Sequence, residues 1–219
     1  MRDSSFALEQ SEFADILASE RLDNMDFKVD NVIPVSNGAG QTQLRDRLLP
    51  RTLVRSADLI VSLTKLKTQD WEGVTLSMKN LFGVMPEAHY GRPKNVLHQI
   101  KITQSIVDIT ATARTNLAIA DGVIGMEGDG PIMGTSQHSG VLIMGRNVPT
   151  VDATASRIMG IDPARIDDLA YSAGWLGAIS EAHTEQRGEG IAACVQTRNK
   201  LDEPSLKALI GSDHPQLSD

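Results

Sequence analysis

Apolar residues recur along this 219-residue chain with two different periods, and the switches between them divide it into elements. Phe6, Phe13, Ile16 and Leu17 fall at roughly helical spacing, so a helix is expected over residues 6–21. Residues 27–35 alternate apolar and polar and predict a strand, which ends near a loop at 36–40. Residues 59–63 (LIVSL) are a short, nearly continuous apolar run, as expected of a strand buried on both faces. Val74, Met78, Leu81, Phe82 and Met85 then form a helix stripe. Residues 95–113, with Val96, Ile100, Ile102, Ile106, Val107 and Ile109, read as a second, less cleanly periodic helix. Two further strands are expected at 117–120 and 141–144.

Past these, Asn147 and the early Pro149 start a helix that runs to Met159 and stops at Gly160. Asp162 and Pro163 restart one in the same way, through Ile166 and Leu169 to Gly174. Asp202, Glu203 and Pro204 open a last short helix ending near Gly211, followed by a polar tail at 212–219. Strand and helix in alternation imply a single α/β domain over 1–219, with a mainly parallel sheet flanked by helices. Ligands of such sheets bind beyond the carboxyl ends of the strands.

Composition narrows the function classes. A hydrophobic content of 41% supports a buried core, and a net charge of −7 argues against a nucleic-acid face or an anionic membrane surface. Aromatic residues make up 4%, which leaves few platforms for stacking bases or flavins. No apolar run approaches the ~20 residues of a membrane span, and residues 1–13 lack the apolar core of a signal peptide. Cys194 is the single cysteine, which excludes an internal disulfide and an all-cysteine iron–sulfur cluster. A cytoplasmic protein is expected.

Candidate chemistry falls where the strands are expected to end. Lys65 and Lys67 lie two apart, so in an extended backbone they share one face with Leu66 on the other; with Thr68 they suit a phosphate or carboxylate. Lys79 is four residues after Thr75, beside the apolar stripe and next to Asn80; it either snorkels or, desolvated, serves as a base or nucleophile. Gly91 and Pro93 mark a loop before a helix, placing Lys94 and Asn95 near a helix N-terminus, with His98 one turn further. The segment 122–135 (GVIGMEGDGPIMGT) holds five glycines in 14 residues and reads as a long, pliable loop. Asp121, Glu127 and Asp129 around it supply acid–base groups or ligands for a hard divalent cation such as Mg²⁺, with Gly128 and Gly130 offering backbone contacts. Asp152, early in a helix, is expected to stabilise that helix's dipole, and Cys194 has no evident histidine partner.

Residues 62–68 (SLTKLKT), 73–83 (GVTLSMKNLFG), 126–134 (MEGDGPIMG) and 151–160 (VDATASRIMG) together resemble the signature blocks of the prokaryotic family called domain of unknown function 362. The blocks occur in order within residues 51–180. Some members of that family are fused to ferredoxin modules, which implies redox chemistry for those members. The chain departs from the pattern in three respects. The family has roughly another hundred residues of early strands before the segment matched here, so the sheet is expected to lack its first strands. A histidine common after the Lys-Leu-Lys-Thr block is replaced by Gln69, and ferredoxin cysteines are absent. A weaker similarity to nickel-pincer lactate racemases, through Lys79, Gly91 and Lys94, carries no cofactor over.

These observations lead to an expected enzyme acting on a small anionic substrate at the carboxyl edge of the sheet. Lys65, Lys67 and Lys94 would bind the anion, with Thr68, Asn80, Asn95, Gly128 and Gly130 around it. Asp121 and Glu127 would act as acid–base groups, Glu127 and Asp129 would hold metal, and Lys79 would be a positioned base. The alternative is a non-catalytic redox or cofactor-carrier module that works with a partner. An edge left by missing strands would favour a homo-oligomer or protein partner across it.

Overall fold

The structure is a computed structural model that describes residues 8–9, 13–69, 73–91, 94–128, 130 and 133–196. Helix α1 (Phe13–Ser19) precedes a two-stranded antiparallel ribbon of β1 (Val32–Ser36) and β2 (Asp46–Pro50), and a π-helical turn follows at Thr52–Ser56. The main sheet contains β3 (Val61–Gln69), β4 (Gly73–Thr75), β5 (Leu117–Glu127) and β6 (Thr135–Gly145), in the order β4-β3-β5-β6. Between β4 and β5 lie α2 (Ser77–Phe82), α3 (Glu87–Tyr90), α4 (Asn95–Ile100) and α5 (Ile102–Ala113). After β6 come α6 (Val148–Ile158), α7 (Asp167–Ser172) and α8 (Ile191–Cys194). Among the described residues, no helix is long and apolar enough to cross a membrane.

The α/β class is as expected, but the sheet is not mainly parallel. Only β3 and β5 run parallel, while β3 pairs antiparallel with β4, and β5 with β6. The expectation failed because the alternation of strand and helix was assumed to hold throughout. The connections from β3 to β4 and from β5 to β6 are too short for a crossover helix, so each pair returns as a hairpin. The glycine-rich segment is the second hairpin: β5 continues through Glu127, and β6 starts at Thr135.

Neither is β3 buried on both faces. Its burial alternates, with Ser62, Thr64, Leu66 and Thr68 packed inward while Val61, Leu63 and Lys65 face out. The inner face is covered by α2 against β3 and by α6 against β5 and β6, and α5 and α7 pack behind them. The stripe Val74, Met78, Leu81, Phe82 and Met85 is buried as its period predicts, although Val74 belongs to β4 and the helix itself begins at Ser77. The expected helix over 95–113 is broken at Lys101, whose φ of 98° lies in a region that L-residues avoid. Helix α6 starts at Asn147 as predicted, where the side-chain oxygen accepts from the Thr150 backbone at 3.0 Å. The expected helix at 202–211 and the tail lie outside the described residues, as do Phe6 and most of the first turns of the expected opening helix.

Candidate functional site

Parallel pairing of β3 with β5 sets Lys65 beside Asp121, and their side chains form an ion pair of 2.7 Å. Asp121 also accepts from the Val123 backbone at 2.9 Å. The hydrogen bond from Lys65 holds the Asp121 carboxyl below the usual carboxylate range. Beyond this point β5 bulges, and Lys67 comes level with Met126. Lys67 is half-buried on the same outward side as Lys65, and Leu66 is fully buried between them, as the two-residue period requires. Thr68, on the packed side, donates to the Gly128 carbonyl at 2.8 Å and ties β3 to the tip of the β5–β6 hairpin.

The carboxyl end of the parallel pair therefore gathers Lys65, Lys67, Thr68, Asp121, Glu127 and Gly128. They do not share one face, because the lysines and Asp121 project outward whereas Thr68 and Glu127 are buried at the rim. Gly130 sits against Thr68 so closely that a Cβ would overlap the Thr68 carbonyl oxygen. Gly125 is equally constrained, since a Cβ there would lie 2.6 Å from the Leu66 backbone oxygen. Gly122 and Gly134 are crowded in the same way, so four of the five glycines serve close packing of the hairpin rather than a free loop. Gly125→Ala is expected to lower stability by about 1–3 kcal/mol in urea unfolding, since backbone rather than a flexible side chain must give way.

Other predicted residues are engaged elsewhere. Asn80 donates to the Ser62 hydroxyl and the Leu63 carbonyl, both at 3.2 Å, in the first half of β3. Lys94 has a left-handed backbone with φ of 68°, and its ammonium donates to the carbonyls of Phe82 at 2.7 Å and Gly83 at 3.2 Å. It lies 5.0 Å from the centre of the Phe82 ring, so it closes the carboxyl end of α2. Burial pushes the Lys94 ammonium down, against the pull of Glu87. Asn95 is the first residue of α4, and the His98 ring meets Phe82 edge-on at 5.9 Å. The Lys79 ammonium nitrogen is shielded from solvent within α2. Asp129 lies outside the described residues. Among the described residues, no group of three or more His, Cys, Asp and Glu side chains is placed to hold a metal ion.

Sequence reasoning placed Asp152 at its own helix's dipole; the structure uses it differently. It lies in the second turn of α6, fully buried, and accepts from the backbone of Ser77 at 2.9 Å and of Met78 at 2.7 Å. It therefore caps α2, which has no side-chain cap from its own N-cap residue. An anion at that helix terminus would compete with a carboxylate already in place. Burial pushes the Asp152 carboxyl up to about 7, although hydrogen bonds from Met78 and Ser77 favour its charged form.

A second polar centre went unpredicted. Asp108 of α5 is fully buried and accepts from the Asn37 amide, the Gln41 and Thr42 backbones, the Thr42 hydroxyl and Arg47, all at 2.7–2.9 Å. Burial would raise its carboxyl, but the bonds from Thr42, Gln41, Asn37 and Arg47 outweigh this, and the net shift is downward. The available signal was an acid inside the apolar run 106–109 (IVDI), at a position with apolar neighbours on both sides.

Four clefts of ~410–720 Å³ among the described residues are lined by residues other than those at the carboxyl rim. The most spacious of them, ~720 Å³, runs between the free edge of β6, helix α6 and residues 183–189, with Cys194 in its wall.

Comparison with known proteins gives one curated relative, a thylakoid-associated protein of Synechocystis sp. (strain ATCC 27184 / PCC 6803 / Kazusa). It is 30% identical over 120 residues, covering 52% of this chain and 36% of that protein. The matched part thus spans about a third of that relative's length. No solved structure matches. The family described as Domain of unknown function (DUF362) matches residues 1–157, well over half of the sequence, and the chain belongs to that family.

Proposed function

We propose that the carboxyl rim of the β3–β5 pair binds a small anionic molecule and that the protein acts on it as an enzyme. The observation that carries this reading is the juxtaposition of Lys65 and Lys67 with Asp121, Glu127 and Gly128 where the two parallel strands end. Lys67 is the principal anion contact, because Lys65 is already paired with Asp121. Asp121 and Glu127 are the acid–base groups, and Lys79 is a positioned base supplied from α2. A hard divalent cation at Glu127 and Asp129 is the cofactor this reading admits, with carboxylate oxygens as ligands. Cytoplasmic residence belongs to the same reading.

The test is calorimetric titration of the purified chain with inorganic phosphate and with succinate, with and without Mg²⁺. Saturable binding is expected, weakened about tenfold by Lys67→Met with the melting temperature unchanged. No saturable binding, or binding indifferent to Lys67→Met, would remove the rim from the scheme. A second reading, a non-catalytic redox or cofactor-carrier module working with a partner, is favoured by the extent of exposed apolar surface on the outward side of the sheet among the described residues.

A further inference from the structure

Among the described residues, nothing covers the outward, apolar face of the main sheet. Pairing places Leu63 beside Ile119 and Ile119 beside Met144, and the ion pair of Lys65 with Asp121 lies next to Leu142. Leu63 is 63% exposed, Met144 59%, Leu142 54% and Val61 42%. A contiguous apolar patch three strands wide marks a surface meant to be covered, and in α/β architecture a helix covers it.

The same chain carries an uncovered helix. Phe13, Ile16 and Leu17 fall at i, i+3 and i+4 on α1, yet no residue of this seven-residue helix is buried; Phe13 is 62% exposed and Ile16 51%. A helix shorter than ~12–15 residues is marginal in water unless its apolar face packs. Charge matches as well. Asp15 and Glu20 are exposed on and after α1, while exposed Arg146 continues the outward alternation of Leu142 and Met144, and exposed Arg114 precedes β5. Neither arginine has an ion pair among the described residues.

We propose that α1 of one copy of this chain docks on the open sheet face of a second copy, and reciprocally. Among the described residues of one copy both surfaces stay exposed, so they do not cover each other. A two-fold exchange covers both at once and closes without leading to a filament. The contact is helix on sheet face, distinct from pairing along a strand edge; it is argued independently of the anion site but borders it, since Lys65 and Asp121 project from the same face.

Sedimentation velocity of the full chain tests this. A species near twice the 23.7 kDa chain mass is expected. Leu63→Asp on the sheet and Phe13→Asp on the helix should each weaken the dimer at least about a hundredfold, with circular dichroism unchanged because both positions are exposed. Mixing the two variants should restore a heterodimer, since one intact helix then meets one intact sheet face. Met144→Gln serves as a second sheet variant should Leu63→Asp misfold. A monomeric wild-type chain overturns the proposal. So does a dimer that survives Phe13→Asp but not Leu63→Asp, which would mean that the two sheets stack directly, and so does failure of the mixed variants to associate.

Discussion

Asp108→Ala is expected to destabilise the protein by about 3–5 kcal/mol, enough to unfold much of a marginally stable domain at 37 °C. The reason is what the carboxylate leaves behind. Arg47 is fully buried, and its pairing with Asp108 at 2.7 Å is the only ion pair it makes among the described residues. The Nε and Nη1 of Arg47 have no hydrogen-bond partner among the described residues, so little else compensates its charge. The backbone N–H groups of Gln41 and Thr42 would lose their acceptor as well. Asp108→Asn should cost less, since an amide oxygen can keep part of this set. Arg47→Met combined with Asp108→Leu should recover part of the loss, because the buried charge disappears, but not all of it, because those two backbone groups stay orphaned. Urea unfolding of the three variants measures this; a double variant as unstable as Asp108→Ala would mean that the buried charge is not the dominant cost.

The second large effect is pH-dependent and belongs to Asp152. Its carboxyl is pushed up to about 7 from an ordinary value of 3.8, so between these values the folded state holds a proton that the unfolded state has released. Stability from this group is therefore fully present below 3.8 and declines as pH rises through about 7. Linkage puts the loss on the order of 4 kcal/mol across that window. Asp108 acts in the opposite direction: its carboxyl is lowered, so its contribution is present above the ordinary value and is lost as pH falls below it. Asp152→Asn should flatten the stability profile between pH ~4 and ~7 while still offering one acceptor to α2. Asp152→Ala should cost about 2–4 kcal/mol, since the N–H groups of Ser77 and Met78 would be left buried without a partner. Thermal melts of the three chains across this pH range supply the measurement. An unchanged slope in Asp152→Asn would transfer the pH dependence to another group.

The shared side of Lys65 and Lys67 in the candidate site was legible because it depends on local period. The two-residue spacing of Lys65 and Lys67 puts them on one side of a strand wherever that strand lies, and Leu66 is buried on the other. Adjacency of Lys65 to Asp121 needed more, because it is a matter of register between strands 56 residues apart. Lys94 shows the reverse. A lysine before a helix reads as an anion contact, yet folding turned it back onto the carbonyls that end α2.

The sequence by itself determined the α/β class, the apolar stripe buried around α2, the start of α6 and the family, because these follow from spacing within short windows. Only the tertiary structure decided that the sheet is mixed, that glycines 125 and 130 are packing positions, that Asp152 caps a helix not its own, and that Asp108 and Arg47 share one buried centre. Each of these depends on which distant segments meet. A strand's residues look the same whether its neighbour runs parallel or antiparallel, and a buried polar group is identified only by the partner that satisfies it.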